Sequence, residues 1–543
     1  MTLVVANLGD SQQAVERALA DMEEARTLSR IWTKDHTVWK PAPTEITNRL
    51  GWLHIPEEMK ERLPALKQLA ERALDDGFSD VVLLGMGGSS LAADVFGRTF
   101  SNPGLRLSVL DSTSPGAVLA SAQSHDLARA LFIVATKSGG TAETLSLFKF
   151  FYNRVSEMVG AEKVGEHFIA ITDPGSRLAA LAGRLRFRDT LLNNPDIGGR
   201  YSVLSHFGLA PAALMGVDVS LLIDRAIEMA DACSPEVATV GNPAARLGAV
   251  VGQLALNGRD KITFTLSPGI ASFGDWVEQL IAESLGKDGR SILPVVGEDI
   301  GSPEVYGNDR AFAYLRLEGD TAYDDQIQTL ESAGHPVIRL SLRDIYDLGQ
   351  QFFLWELATA VAGEQLAVNP FDQPDVEAAK VLARKMIAEY AEEGELPAST
   401  SVPPSAERLH DFLAAAEPGD YIAIQAYLPP DAETDTALNT LRLQLRDRYH
   451  LATTVGYGPR FLHSTGQLHK GGARNGLFVQ FIADVDDDVP IPDEAGASES
   501  AISFGVLIGA QALGDWQALL DANRRIIRFD LGADVAKGLA ALL

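Results

Sequence analysis

Short apolar runs alternate with longer stretches of helical pattern along this sequence, and this alternation constrains the fold more than any other feature. Between residues 79 and 190 the apolar runs are DVVLLG, LRLSVLD, LFIVAT and HFIAIT. Segments of about 20 residues with helical periodicity separate them, which predicts parallel βαβ units in a doubly wound sheet.

The alternation occurs in two further blocks. From about residue 245 to 390 it contains KITFTLS, SILPVV, FAYLRL and PVIRLSL as predicted strands, with FGDWVEQLIAESLG and QQFFLWELATAVAG as helices. From about 405 to 543 the predicted strands are GDYIAIQAYL, ATTVGYG, LFVQFIAD and IIRFDLG. The segment EEGELPASTSVPPSAE, rich in Glu, Pro and Ser, separates these two blocks as a linker does.

The N-terminal residues show helical spacing in QQAVERALADMEEARTLSRIW and EEMKERLPALKQLAERALDDG. The sequence therefore predicts an α/β protein with four parts. These are a helical N-terminal segment at 1–75, two tandem doubly wound parallel-sheet domains at 76–240 and 241–395, and a smaller C-terminal α/β domain at 405–543.

Composition excludes several classes of function. A formal net charge of −27 over 543 residues repels nucleic acids, so we expect no nucleic-acid partner. The single cysteine, Cys233, allows no intrachain disulfide and has no metal-ligand spacing near it, so we expect no metal site and a cytoplasmic location. No segment reaches the ~20 apolar residues that span a bilayer, so we expect no membrane association.

The first candidate motif is VVLLGMGGSSLAADVF, a strand followed by Gly85, Gly87, Gly88, Ser89 and Ser90 and then a helix. Glycines let backbone N–H groups point at an anion, and a helix N-terminus adds to its binding. A purely structural turn is the alternative. A dinucleotide site is less favoured because the G-x-G-x-x-G spacing is missing.

The second motif is IVATKSGGTAETL, in which Thr136, Lys137, Ser138 and Thr141 precede a helix. Hydroxyls, an ammonium and a free helix N-terminus match a phosphate dianion. A simple N-cap is the alternative, but it explains only one or two of the hydroxyls.

Three later motifs carry charged side chains suited to proton transfer. Arg200 follows two glycines in GGRYS, where it can stabilise an oxyanion, although a surface arginine is the alternative. Gln279 and Glu283 in DWVEQLIAESLGKDG are four residues apart and share one helix face, although most helical glutamates are merely solvated. Lys380 in FDQPDVEAAK could also be an ordinary helix lysine paired with Glu377.

As an ordered set, GMGGSS, TKSGGTAET, GGRYS, QLIAESLGK and FDQPDVEAAK resemble the phosphoglucose isomerase family of the sugar isomerase (SIS) fold, over about residues 80 to 380. The resemblance implies two SIS domains and a sugar-phosphate substrate. By this resemblance, the residues that bind the substrate are Gly88, Ser89, Thr136, Lys137, Ser138, Thr141 and Gln279.

The same resemblance implies roles for the charged residues. Glu283 falls on the catalytic base, Arg200 on the residue that stabilises the enediolate, and Lys380 on a lysine that helps to open the sugar ring. The sequence departs from the family pattern at Asp375, where glycine is usual.

The segment HSTGQLHKGG resembles the family stretch that carries the ring-opening histidine, which indicates His463. In the family this histidine precedes the lysine motif and comes from the neighbouring subunit, whereas His463 follows Lys380 by 83 residues. The chain resembles in this respect the isomerase part of fused transaldolase and phosphoglucose isomerase proteins. We therefore expect either a homodimer or a monomer whose C-terminal domain completes the site. His335 ranks below His463, because a histidine before a proline at a strand entry is more often structural.

The resemblance implies the activity of a glucose-6-phosphate isomerase, which interconverts glucose 6-phosphate and fructose 6-phosphate in glycolysis and gluconeogenesis. The reaction passes through a cis-enediol(ate), and we expect it to need no cofactor. Two alternatives stay open at this point. One is a dual phosphoglucose and phosphomannose isomerase, and the other is a non-catalytic regulator that binds sugar phosphates.

Overall fold

The structure is a computed structural model that describes residues 2–101, 103–398, 400–485 and 487–543. Its N-terminal part contains the strand β1 (Thr2–Ala6) and the helices α1 (Ser11–Glu24), α2 (Thr27–Trp32) and α3 (Ile55–Asp75). The helices agree with the helical pattern of this segment. The strand was not predicted, because TLVVA is short and has no partner run nearby.

The first sheet has five parallel strands in the order β3-β2-β4-β5-β6. Its elements follow the chain as β2 (Asp80–Gly85), α4 (Leu91–Thr99), β3 (Arg106–Leu110), α5 (Pro115–Ser124), β4 (Ala130–Ala135), α6 (Ala142–Val159), β5 (Phe168–Thr172), α7 (Arg177–Arg184) and β6 (Asp189–Leu192). Every residue of β2, β4 and β5 is buried, as expected for strands covered on both faces. The four predicted strands are confirmed, and β6 is an additional, partly exposed edge strand.

Helices α8 (His206–Leu214), α9 (Val219–Ala232) and α10 (Pro243–Leu256) lead into the second sheet. The strands of that sheet and the helices between and after them are, in chain order, β7 (Lys261–Leu266), α11 (Phe273–Leu285), β8 (Leu293–Val295), β9 (Arg310–Leu317), α12 (Asp324–Ser332), β10 (Val337–Leu342) and α13 (Leu348–Gln365). Its strand order is β1-β10-β9-β7-β8, in which only β1 is antiparallel to its neighbour. The four predicted strands are confirmed, and the N-terminal strand extends the sheet.

The third sheet is smaller and follows helices α14 (Val376–Glu393) and α15 (Ala406–Leu413). Its strands and the helices between and after them are, in chain order, β11 (Tyr421–Tyr427), α16 (Ala432–Tyr449), β12 (Ala452–Tyr457), α17 (Gly466–Gly471), β13 (Gly476–Ile482), α18 (Phe504–Asp521), β16 (Arg525–Asp530) and α19 (Val535–Ala540). A separate small hairpin, β14 (Pro490–Ile491) and β15 (Ile502–Ser503), lies between β13 and α18 in the chain. The order β12-β11-β13-β16 is entirely parallel. The α/β fold class is therefore confirmed throughout, while the domain boundaries stay a prediction.

The third sheet packs against both other sheets. Tyr421 and Phe478 share a hydrophobic cluster with Leu293 of the second sheet, and Ile491 and Phe504 pack on the core of the first sheet. Helix α14 lies against α18, where the backbone of Gly514 approaches α14 so closely that a Cβ would lie 2.8 Å from the Ala379 carbonyl oxygen. These contacts hold α14 and the third sheet beside the loops that follow β2 and β4. No helix among the described residues is long and apolar enough to cross a membrane.

Candidate active site

The loop between β4 and α6 contains the predicted phosphate-binding residues. Thr136 is buried at the strand end and its hydroxyl lies 2.8 Å from the hydroxyl of Thr141, which stands directly before α6. Ser138 is exposed at the tip of the loop. Hydroxyls therefore surround a helix N-terminus, which is an arrangement that favours an anion.

Lys137 differs from this expectation in the direction of its side chain. Its ammonium forms an ion pair with Asp173 and donates a hydrogen bond of 2.9 Å to the Pro195 carbonyl. The two contacts explain its position without any ligand.

The loop after β2 packs directly on the loop that carries Arg200. A Cβ on Gly88 would overlap the Gly199 carbonyl, so only glycine allows this approach. Gly87 has a φ of +53°, and a Cβ there would lie 2.9 Å from the side-chain nitrogen of Gln279. Ser89, which is half-buried, follows these glycines in the same turn.

Glu283 and Gln279 lie in the last turns of α11 and are both buried. The Gln279 side-chain amide donates to a carboxylate oxygen of Glu283 over 3.1 Å, as their spacing on one helix face predicts. The other carboxylate oxygen lies 3.7 Å from a guanidinium nitrogen of Arg200. Glu283 is thus a shielded carboxylate beside one amide and one positive charge.

Arg200 is almost completely buried, with 2% of its surface exposed. Its guanidinium donates to the Ser284 hydroxyl over 2.7 Å, to the Gln373 side chain over 2.9 Å and to the Pro370 carbonyl over 2.7 Å. These bonds fix the orientation of the guanidinium next to Glu283. They also join the loop before α8 to the segment that leads into α14.

Lys287, just beyond α11, was not predicted as a site residue. Its ammonium is buried and lies 2.8 Å from a carboxylate oxygen of Asp372. Burial and the neighbouring charge of Arg200 lower the pKa of Lys287 to about 8, although Asp372 and Glu283 act in the opposite direction. Lys287 is therefore a second cation in the neighbourhood of Glu283, paired with Asp372.

Lys380 lies in the first turns of α14 and is half-buried. Asp375, at the start of this helix, has a φ of −88°, so the position does not require the glycine that the family pattern has. The Asp375 backbone and carboxylate form hydrogen bonds of 2.9 and 2.6 Å with the Gln467 side chain. This pair ties the helix that carries Lys380 to the third sheet.

His463 lies in a short 3-10 turn between β12 and α17 and makes two different contacts. Its backbone carbonyl accepts a 2.8 Å hydrogen bond from Gln279. Its ring nitrogen Nε2 lies 2.9 Å from a carboxylate oxygen of Glu143, in the first turn of α6. His463 therefore links the helix of Glu283 to the loop with the phosphate-binding residues.

Glu143 is a further site residue that the sequence argument missed. It is buried and also accepts a 2.9 Å hydrogen bond from Gln511 of α18. Burial alone would raise the pKa of Glu143, but the charge and hydrogen bond of His463, with the charge of Lys380, outweigh it and lower the pKa to about 2. The TAET motif offered a signal, because it places an acid two residues after Thr141.

A cavity of about 280 Å³ joins several of these groups. Its walls include Ser138, Thr141, Glu143, Lys380, His463 and Gln511. Arg200, Gln279 and Glu283 are not among the residues that line this cavity, and Gln279 is joined to it by the hydrogen bond to the His463 carbonyl. His335, by contrast, packs on Phe312 in the second sheet and bonds to the Pro303 carbonyl, as a structural histidine does.

Comparison with known proteins decides the family. The model of the phosphoglucose isomerase family matches residues 67–291. A glucose-6-phosphate isomerase of Rubrobacter xylanophilus is 31% identical over 384 residues, which cover 61% of this chain and 87% of that protein. The chain belongs to the phosphoglucose isomerase family. A glucose-6-phosphate isomerase of Thermus thermophilus is 29% identical, over 62% of this chain and 90% of that protein.

Solved structures agree with this family fold. A hypothetical protein of Thermus thermophilus has a TM-score of 0.62 at 24% identity and covers 71% of this chain and all of that one. A glucose-6-phosphate isomerase of Chlamydia trachomatis has a TM-score of 0.54 at 18% identity, over 70% of this chain and 86% of that one. The phosphoglucose isomerase match ends at residue 291, so Lys380 and His463 lie beyond it.

Proposed function

We propose that the chain is a glucose-6-phosphate isomerase whose active site lies between its three sheets. One observation carries the proposal. His463 joins the buried base candidate Glu283, through Gln279, to the cavity that contains Glu143, Lys380 and the hydroxyls after β4. A site of this kind holds a phosphate at one end and moves a proton at the other.

The substrate phosphate would bind at the N-terminus of α6, with Ser138 and Thr141 as hydroxyl donors and Ser89 from the loop after β2. Binding energy at the phosphate would fix the sugar relative to the reacting carbons. Lys380 and His463 would open the ring by moving a proton between the ring oxygen and the C1 hydroxyl. Glu143 would hold the imidazole of His463 in place through its contact with Nε2.

Isomerisation would then proceed at C1 and C2 of the open chain. Glu283 removes the proton from C2, the electron pair forms the C1=C2 bond of a cis-enediolate, and Glu283 returns the proton to C1 as the O2 hydroxyl proton passes to O1. Gln279 orients the carboxylate. Arg200, whose donors are largely engaged by the protein, would stabilise the developing negative charge through its own charge.

We also propose that a single chain contains a complete active site. The C-terminal part of the chain, which contains the third sheet, supplies His463. The same chain also supplies Glu143 and Glu283. No second copy of the chain would be needed to open the ring.

The test is conversion of fructose 6-phosphate to glucose 6-phosphate, followed with a coupled dehydrogenase, for the wild type and Glu283→Gln. We expect the variant to lose at least 100-fold in kcat, because a general base contributes roughly 10²- to 10⁴-fold, while sugar-phosphate binding is retained. A wild type that binds fructose 6-phosphate but does not convert it would favour the regulatory alternative. Mannose 6-phosphate, run in parallel, separates the phosphoglucose activity from the dual one.

A further inference from the structure

A second and larger cavity, of about 480 Å³, lies at the carboxyl ends of the strands of the third sheet. Residues that end or follow three of its strands line the cavity, among them Tyr427 and Leu428 after β11, Ile482 and Asp484 after β13, and Val535 after β16. Helix α5 of the first sheet forms the opposite wall. Open α/β sheets bind ligands at this edge, where neighbouring strands lead to different sides of the sheet.

Arg528 of β16 marks the base of this cavity. Only 4% of its surface is exposed, yet neither Nε nor Nη1 has a hydrogen-bond acceptor among the described residues. Burial lowers the pKa of Arg528 to about 10, against the opposing effects of Tyr427, Asp530 and Asp515, so the group stays cationic at neutral pH. Two buried donors without acceptors are costly, and an anion that accepted from them would remove that cost.

The other residues that line the cavity limit the kind of ligand that it can bind. Leu119, Leu428, Ile482 and Ile508 give the cavity apolar sides. Asp484 and Asp487 stand exposed at its rim and would repel a multiply charged anion. The combination fits an apolar body with a single negative charge.

Helix α18 separates this cavity from the candidate active site. Ile508 and Ala512 face the second cavity, whereas Leu507 and Gln511 face the cavity that contains His463. The two cavities therefore have a common wall and separate linings.

We propose that the cavity at Arg528 is a binding site for a small monocarboxylic acid with an apolar body, distinct from the sugar-phosphate site. The carboxylate would accept from the Arg528 guanidinium, and the body would lie against the apolar sides of the cavity. This proposal does not depend on the isomerase activity.

The test uses benzoate as the probe, titrated calorimetrically into the full chain with saturating fructose 6-phosphate to occupy the first site. We expect one saturable site for benzoate and at least tenfold weaker binding of benzamide, which has the same shape without the charge. Phenyl phosphate, with its second charge, should also bind at least tenfold more weakly. Benzoate binding that fructose 6-phosphate abolishes, equal binding of benzamide, or no saturable binding would overturn the proposal.

Two variants locate the site. Arg528→Met should lose benzoate binding at least tenfold, and Arg528→Lys, which keeps a charge, should bind more tightly than Arg528→Met. If Arg528→Met does not fold, Ala120→Trp tests the proposal from the other wall. Ala120 is an exposed residue of α5 at the cavity, and an indole there should fill it. Unchanged benzoate binding in a folded Arg528→Met or in Ala120→Trp would refute the assignment.

Discussion

The contact between Glu143 and His463 leads to the most specific prediction, the effect of Glu143→Gln. Glutamine has the shape of glutamate but carries no charge, so it preserves packing in the first turn of α6. It still offers one oxygen to His463 at the place where the carboxylate now lies, 2.9 Å from Nε2. What the variant removes is the negative charge beside the imidazole ring of His463.

The magnitude follows from the pKa of Glu143. This pKa falls from 4.5 to about 2, and at about 1.4 kcal/mol per unit the native site favours the charged carboxylate by on the order of 3 kcal/mol. That figure is net of the burial penalty, and glutamine keeps part of the interaction, so it sets the order of magnitude of the loss in ring opening. We therefore expect kcat/KM for fructose 6-phosphate to fall roughly 10- to 100-fold.

The assay separates ring opening from proton transfer. A four-carbon aldose 4-phosphate cannot cyclise, because its O4 carries the phosphate, so its isomerisation needs no ring opening. Glu143→Gln should change kcat/KM for this substrate by less than about twofold, whereas Glu283→Gln should abolish turnover of both substrates. If Glu143→Gln lowered kcat/KM equally for both substrates, the assignment of Glu143 to ring opening would be refuted.

The same pKa predicts how stability depends on pH. Because the pKa of Glu143 is lower in the folded chain than in the unfolded chain, its stabilising contribution is fully present above about pH 4.5 and is lost as the pH falls towards 2. In urea unfolding, the wild type should exceed Glu143→Gln in free energy of unfolding at pH 6, and the difference should shrink below pH 4.5. A difference that stays constant down to pH 3 would contradict this reasoning.

Three further predictions follow from the surrounding contacts. Asp375→Ala removes the bond that the Gln467 side chain donates to the carboxylate, while the backbone N–H of residue 375 still donates to Gln467. Urea unfolding should therefore show a loss of about 1–2 kcal/mol and coupled assays a lower kcat/KM for cyclic substrate. The pKa of Lys287 is lowered from 10.5 to about 8, so the unfolded chain binds more protons between these values. The free energy of unfolding of the wild type should therefore rise relative to Lys287→Met by up to about 3 kcal/mol between pH 8 and 10.5, and a falling difference would contradict the sign. Finally, if one chain completes the site, activity per chain should stay constant on dilution to nanomolar concentration, whereas a loss that reverses on concentration would indicate that a second chain is needed.

The sequence predicted the three sheets because their central strands are buried on both faces and read as continuous apolar runs. It missed β1 and β6 for the opposite reason. Val4 is 50% exposed and Leu192 is 44% exposed, so neither edge strand has the continuous burial that makes an apolar run diagnostic. A short edge strand acquires its structure from the sheet that it joins, and that partner is not visible locally.

The contacts of the candidate site also divide into those that the local sequence predicts and those that it does not. The contact between Gln279 and Glu283 follows from their spacing on one helix, and the structure has it at 3.1 Å. The contact between Glu143 and His463 joins residues 320 positions apart, and no local pattern encodes such a distance. Lys137 shows the limit of arguing from residue type, because its ammonium is bound by Asp173 instead of facing the loop that it belongs to.

The third sheet is best regarded as part of the candidate site and not as an appended domain. The carbonyl of His463 accepts a hydrogen bond from Gln279 and its ring bonds Glu143, so one residue of the turn after β12 contacts both the proposed proton-transfer end and the proposed ring-opening end of the site. The bond between Asp375 and Gln467 then fixes the helix of Lys380 to the same segment. Because all three contacts come from residues 463–467, we expect any displacement of this segment to alter the positions of the proposed base, histidine and lysine together.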